Sequence, residues 1–230
     1  MNIFGTDGII ITGMTYLLKL LYNLSSSVGL PYYGIAIILL TILIKTLIYP
    51  LTYKQMASMR KTVDLQPKIK AIQVKHKNDK EKANAAVMEL YKEHNVNPMG
   101  GCLPIVVQLP IFWALYSTLR NFKYDPSNIA AHMFLGFDLT KIYGFTLTPH
   151  IILPLFAAAT TYLQTKVTNP NASTDPTQKT MLYIMPVFFA YISATVPSGL
   201  ALYWVTMNCV SILQQLYINR RLTNQKKSVA

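Results

Sequence analysis

The sequence predicts an all-α integral membrane protein: a five-span helical bundle with a cytoplasmic helical hairpin and an N-terminal interfacial amphipathic helix. Three observations lead there. Five apolar segments are long enough to cross a bilayer, at about 1.5 Å per helical residue against a hydrocarbon core of about 30 Å. Of the 230 residues, 52% are hydrophobic and 13% charged, and the mean hydropathy is +0.30, which suits several spans better than one soluble core. The net charge of +12 is clustered, with ten of the 21 Lys and Arg residues between Lys54 and Lys92 and four more between Arg220 and Lys227. Such clusters suit nucleic acid, a ribosome or anionic lipid beside a membrane. The apolar runs flanking both clusters favour the membrane.

Residues 1–30 are expected on the extracytoplasmic side. The stretch "IIITGMTYLLKLLYNL" (9–24) is apolar but short and carries Lys19, so a helix lying in the membrane interface fits it better than a span. A signal or anchor remnant is the alternative, although the charged n-region and small-residue cleavage site of a secretory signal are missing. The first span is expected over 31–55. Segment 56–102 reads as a cytoplasmic helical hairpin, in which Pro67 suits the first turn of a helix and Asn78-Asp79 forms a turn and N-cap. Its apolar stripes are thin, with Leu65, Ile69 and Ile72 on one arm and Ala83, Val87, Leu90 and Tyr91 on the other. They predict a hairpin that packs weakly and moves. Spans two to five are expected over 103–120, 150–167, 180–196 and 199–218. An extracytoplasmic loop (121–149), a short cytoplasmic loop (168–179) and a basic cytoplasmic tail (219–230) complete the chain. Pro110, Pro154 and Pro186 fall inside spans, which tolerate them because neighbouring helices take up the freed carbonyls.

Orientation follows from the cations. Segments 54–102, 166–179 and 219–230 hold 16 of them, whereas the other side holds Lys19, Arg120, Lys123 and Lys141. The basic side is cytoplasmic by the positive-inside rule, giving an N-out, C-in protein.

With topology assigned, depth can be read. Lys45 is the only charge in "GIAIILLTILIKTLIYPLTY" and lies nine residues before Lys54, about 13 Å above the cytoplasmic boundary and close to the bilayer midplane. An isolated charge there costs about 2.5–3.5 kcal/mol on insertion scales. No Asp or Glu occurs in any span to pair with it. Polar residues of the other spans gather toward the cytoplasmic half: Gln108, Thr160, Thr161, Gln164, Thr180, Tyr183, Thr206, Asn208, Ser211, Gln214 and Gln215. The outer halves are mostly apolar. A water-filled cavity, open to the cytoplasm and closed outward, accommodates Lys45 at least cost. Two plainer readings stand beside it: Thr and Ser in spans often serve helix packing alone, and Lys45 can snorkel from a span slightly out of register.

Other chemistries find little support. Cys102 and Cys209 are expected at different depths, too far apart to pair, and neither has metal-ligand spacing. The spans contain no carboxylate pair, no H-E-x-x-H and no Ser/His couple, so no catalytic residue, metal or cofactor is expected. A small-solute or ion transporter using the same cavity is the alternative function. Against it stand the lack of an internal repeat and of any intramembrane acid for ion coupling.

Four stretches carry a family resemblance: "PLTYKQMASMRK" (50–61), "NPMGGCLPIVVQLPIFWALY" (97–116), "FLGFDLTK" (134–141) and "PSGLALYWVTMN" (197–208). With these, the chain resembles the YidC family of membrane-protein insertases over nearly its whole length, and its short N-terminus looks like the versions of Gram-positive bacteria. Many of those are lipoproteins with an N-terminal cysteine, which this chain does not show. The resemblance implies an insertase of the bacterial plasma membrane that inserts and helps fold nascent membrane proteins through a hydrophilic groove. Lys45 matches the groove's positive residue, usually arginine, and so lacks the planar fork that holds a carboxylate with two bonds. Gln164 and Trp204 match other groove positions. The expected groove set is Lys45, Gln108, Gln164, Trp204, Asn208, Ser211 and Gln214, and the expected capture surface on the hairpin is Pro67, Lys68, Lys70 and Tyr91. Implied partners are nascent membrane-protein substrates, membrane lipid, the ribosome through the tail "NRRLTNQKK", the Sec translocon and the signal-recognition-particle receptor.

Overall fold

Twelve elements follow one another in a computed structural model that describes residues 8–96, 103–121, 128–145, 148–170 and 176–229. Nine are helices: α1 (Ile9–Ser27), α2 (Tyr33–Leu47), α3 (Tyr49–Lys75), α4 (Lys80–Glu93), α5 (Leu103–Asn121), α6 (Ile129–His132), α7 (Ile152–Thr168), α8 (Pro176–Thr195) and α9 (Ser198–Val229). Between α6 and α7 lies a two-stranded antiparallel hairpin, β1 (Met133–Phe134) and β2 (Phe137–Asp138). A single 3₁₀ turn, Pro149–Ile151, leads into α7. Cys102 and Lys123 lie outside the described residues.

Packing centres on α9, which contacts α2 and α7 extensively and also reaches α3, α5, α8 and β2. Helix α1 closes the bundle by lying against α2 and α5. It buries Ile11, Met14 and Leu18 there and leaves Ile9, Ile10, Tyr16, Leu20 and Leu24 exposed on its other faces. The shared core holds Leu18, Ile37, Leu40, Leu115, Leu139 and Leu200, all nearly inaccessible.

Segment 31–55 differs from the continuous span the sequence suggests: α2 and α3 meet at a 66° bend. Pro50 explains it. Proline at the start of α3 has no N–H for the carbonyl of Thr46, and its ring would collide with that carbonyl in a continuing helix. Helix α2 therefore ends after 15 residues, about 22 Å of rise. Among the described residues no single helix is long and apolar enough to cross a membrane, whereas the bent pair α2–α3 is.

Pro67 gives a second correction. It lies inside α3 rather than in a first turn. Leu65 and Ile69, on either side of it, are buried with Leu90 and Val96 in a small separate core, and that burial carries the helix through the proline. Helix α4 starts at its N-cap Asp79, whose Oδ1 accepts from the Lys82 amide at 3.0 Å.

One end of the bundle is capped by α6 and the β-hairpin. Leu135 and Gly136 connect the strands with φ of 50° and 83°, the pair of positive values that a tight two-residue hairpin turn of this twist requires. On the other side of the hairpin, Phe134 packs over Gly34 of α2, where any Cβ would overlap its ring.

Asp138 organises this cap. Its Oδ1 accepts from the Thr140 hydroxyl (2.7 Å), the Thr140 amide (3.0 Å) and His132 Nδ1 (3.1 Å), and Lys141 Nζ stands 3.6 Å from Oδ2. Burial disfavours its charge, but the Thr140 and His132 bonds outweigh that, so the carboxyl titrates below its ordinary value. The loop so shaped presents carbonyls to α9: the Ser198 amide donates to Lys141 O (2.9 Å), the Gly199 amide to Leu139 O (3.0 Å) and the Ser198 hydroxyl to Asp138 O (2.7 Å). Orphan donors of a helix N-terminus are thereby satisfied from another part of the chain.

Gly34→Ala is expected to cost about 1–3 kcal/mol through overpacking. Its loss combined with Phe134→Leu should fall below the sum of the single losses in thermal unfolding in detergent. Asp138→Asn is expected to cost about 1–3 kcal/mol at neutral pH. Because the folded pKa is depressed, the wild-type contribution is fully present above about pH 4, the unfolded value, and disappears as pH falls through the folded value. Unfolding curves of wild type and Asp138→Asn measured from pH 7 downward should therefore converge.

Candidate functional site

The polar residues expected on one groove wall fall into separate groups. Lys45 lies on the last turn of α2, half-exposed, and among the described residues no carboxylate pairs with it. Its carbonyl, freed by the break at Pro50, accepts from Gln214 Nε2 of α9 at 3.3 Å. Gln214 thus joins α2 to α9 at the point where the helix is interrupted.

A second group lies between α7 and α9. Asn208 is fully buried. The hydrogen-bond network orients its amide with the oxygen toward Thr161 Oγ1 (3.0 Å), Trp204 Nε1 (3.2 Å) and the Thr161 amide (3.3 Å), and with the nitrogen donating to Gln164 Oε1. Thr160 Oγ1, also 3.1 Å away, directs its own proton to the Phe156 carbonyl at 2.7 Å. The Trp204 ring stacks on Phe189 with centroids 3.8 Å apart and meets Phe112 edge-on at 6.2 Å. Gln164, Trp204 and Asn208 therefore form one unit.

The remaining candidates stand apart. Gln108 donates through Nε2 to the buried Tyr203 hydroxyl, tying α5 to α9. Ser211 is buried and donates to the Met207 carbonyl of its own helix at 2.8 Å. Asn208 and Ser211, expected among the groove residues, are both buried, and a buried amide or hydroxyl left unpaired costs about 1–3 kcal/mol.

Sequence reading passes over Tyr49, Gln55 and Tyr203. The Tyr49 hydroxyl, Gln55 Nε2, Gln214 Oε1 and Gln215 Oε1 are buried without a protein partner among the described residues. They come from the bend, the start of α3 and adjacent positions of α9. Gln55 carries no signal in a stretch that reads as the polar end of a span, and Tyr203 looks like ordinary core. One turn further along α9, Arg60 Nη1 donates to Asn219 Oδ1 (3.3 Å), Gln215 Nε2 donates to the same oxygen (3.0 Å), and Asn219 Nδ2 reaches the Val167 carbonyl (3.5 Å). Asn219 so links α3, α7 and α9.

On the hairpin, Pro67, Lys68 and Lys70 are exposed, whereas Tyr91 is half-buried against the small core. Lys68 Nζ approaches His94 Nε2 at 3.0 Å, connecting α3 to the end of α4. Among the described residues no group of His, Cys, Asp and Glu could hold a metal ion.

Comparison with known proteins gives this geometry a context. Residues 23–226 match the family model described as 60Kd inner membrane protein. The chain belongs to the YidC family. The membrane protein insertase YidC of Helicobacter pylori J99 is 41% identical over 221 residues, covering 95% of this chain and 37% of that protein. The YidC insertase of Wolinella succinogenes is 42% identical over 198 residues, with 86% and 35% covered. A crystal structure of an active YidC insertase with its first transmembrane domain resolved superposes with a TM-score of 0.69 at 29% identity, over 89% of this chain and 45% of that one. The chain thus spans little more than a third of these curated relatives, and its helical architecture is that of the YidC structure.

Asn208→Leu should destabilise the protein by about 1–2 kcal/mol, since it strands the hydrogen-bonding groups of Thr161, Gln164 and Trp204. In a double-mutant cycle with Thr161→Val, thermal unfolding should show coupling above about 0.5 kcal/mol.

Proposed function

We propose that the chain is a membrane-protein insertase of the bacterial plasma membrane, with five spans, N-out and C-in, and α1 lying in the outer interface. One observation supports this most directly. Lys45, the cation of the first span, pairs with no carboxylate among the described residues, and unpartnered polar atoms of Tyr49, Gln55, Gln214 and Gln215 gather toward the same inner end. Hydration from the cytoplasm satisfies such groups cheaply. The outer end, by contrast, is covered by α6, the β-hairpin and the Asp138 loop.

In this reading the hydrophilic end of a nascent membrane protein enters partway from the cytoplasm, and Lys45 attracts its acidic residues. The substrate's apolar segment then passes into lipid, its burial contributing about 25 cal/mol per Å². The membrane potential assists the transfer of negative charge outward. The groove needs no catalytic group, because it acts by shortening the apolar distance a polar segment crosses. Gln164 and Trp204 line the path, with Asn208 holding them from behind. The hairpin presents Lys68 and Lys70 to incoming chains, and the helical tail beyond Asn219 offers cations to ribosomal RNA. The Sec translocon and the signal-recognition-particle receptor are further partners of this reading.

Lys45→Glu is expected to slow insertion of a single-span substrate with an acidic translocated tail about tenfold in proteoliposomes, equivalent to about 1.4 kcal/mol. Lys45→Arg should retain the wild-type rate. An unchanged rate with Lys45→Glu would remove the electrostatic part of the mechanism.

A further inference from the structure

At the outer end of the bundle, away from every groove residue, lies a half-open cleft of about 390 Å³. Helix α5 lines it with Tyr116, Leu119 and Arg120, and Thr140, Ile142 and Thr195 lie across from them. We propose that this cleft holds the headgroup of an anionic phospholipid of the outer leaflet, one whose phosphodiester carries headgroup hydroxyls, as in phosphatidylglycerol. The proposal rests on the reading that α5 and α8 cross the bilayer.

The cation is preorganised. Arg120 Nη1 donates to the Tyr116 hydroxyl at 3.0 Å, and its guanidinium carbon stands 5.8 Å from the centre of that ring. This aims the planar fork, whose remaining N–H groups match a phosphate geometrically. Among the described residues no carboxylate pairs with Arg120. The one carboxylate in the described part of the loop, Asp138, is already engaged by Thr140, His132 and Lys141. Lys141, two-thirds exposed, adds a second cation beside Thr140.

The two threonines decide what else the ligand carries. Thr140 spends its hydroxyl proton on Asp138 (2.7 Å) and Thr195 on the Ile192 carbonyl (3.0 Å). Both therefore offer oxygen lone pairs, which a hydroxylated headgroup can donate to and a choline headgroup cannot. Below the cation, Trp113, Tyr116 and Arg120 share one face of α5 at spacings of three and four residues. The Trp113 and Tyr116 rings are 6.2 Å apart, and Trp113 is 52% exposed. An aromatic pair at this level is the usual marker of the membrane interface. Phosphate at Arg120, glycerol backbone over Tyr116 and acyl chain along Trp113 follow that face in order.

The test uses the full chain in phosphatidylcholine nanodiscs. With Trp204→Phe, Trp113 is the sole tryptophan of the two in the sequence. Lipid brominated near the top of its chains is added at low mole fraction, as phosphatidylglycerol or as phosphatidylcholine. Phosphatidylglycerol is expected to quench Trp113 several-fold more per mole than phosphatidylcholine, Arg120→Gln to equalise the two lipids, and Arg120→Lys to keep part of the preference. Equal quenching by both lipids with Arg120 present, or an undiminished preference in Arg120→Gln, would overturn the site. Loss of the preference on adding millimolar inorganic phosphate would overturn the lipid as occupant. No quenching by either lipid would instead overturn the placement of α5 in the bilayer, an outcome independent of insertion activity.

Discussion

A single buried amide sets the frame of this molecule. Asn208 sits in α9 with no access to solvent, at its seam with α7. A primary amide there must place its hydrogen-bonding groups or lose several kcal/mol, and only Thr161, Gln164 and Trp204 provide the partners. Sliding α7 along α9 by one turn would strand all of them. The network therefore holds the register of the two helices in a way that apolar side chains, which interchange contacts at little cost, do not. Since α9 also meets α2, α3, α5 and α8, fixing it against α7 orders much of the bundle.

The two ends of α9 are treated differently, and that difference gives the molecule its polarity. At its N-terminus, amides and a hydroxyl are taken up by carbonyls of the loop that Asp138 shapes, with Gly199 allowing the backbones to approach. The donors of this helix terminus are thereby satisfied within the protein. Toward the C-terminus, glutamines and the bent junction at Pro50 leave polar atoms without protein partners, and the clasp at Asn219 uses longer bonds. Bonds of 2.7–3.0 Å hold the N-terminal end of α9, whereas those around Gln214 and Asn219 run from 3.0 to 3.5 Å.

Much of this could be read in the chain before folding. The apolar runs, the clustered cations and the unpaired Lys45 need only composition and spacing, because a charge among twenty apolar residues has the same cost in any packing. Asp79 as an N-cap is equally local. The helix break at Ile48 was within reach too, since Pro50 forbids a continuous hydrogen-bond ladder, but a long apolar run invites reading through it. Pro67 misleads in the opposite sense. Taken alone it marks a helix start, and only the burial of Leu65 and Ile69 against Leu90 and Val96 shows why α3 continues past it.

By itself, then, the sequence determined the helical class, the membership of the YidC family and the residues with reason to be polar among apolar neighbours. Such properties depend on local periodicity and on the cost of desolvating a given side chain. Tertiary structure decided which of those polar residues are spent holding helices together and which are left over. Asn208 and Gln108 went to the first purpose and Lys45 to the second, while Ser211 is satisfied within its own helix. Spacing along a helix fixes only the direction in which a side chain points, whereas a hydrogen bond requires a partner within about 3 Å, and partners 40 or 100 residues distant are brought that close only by packing.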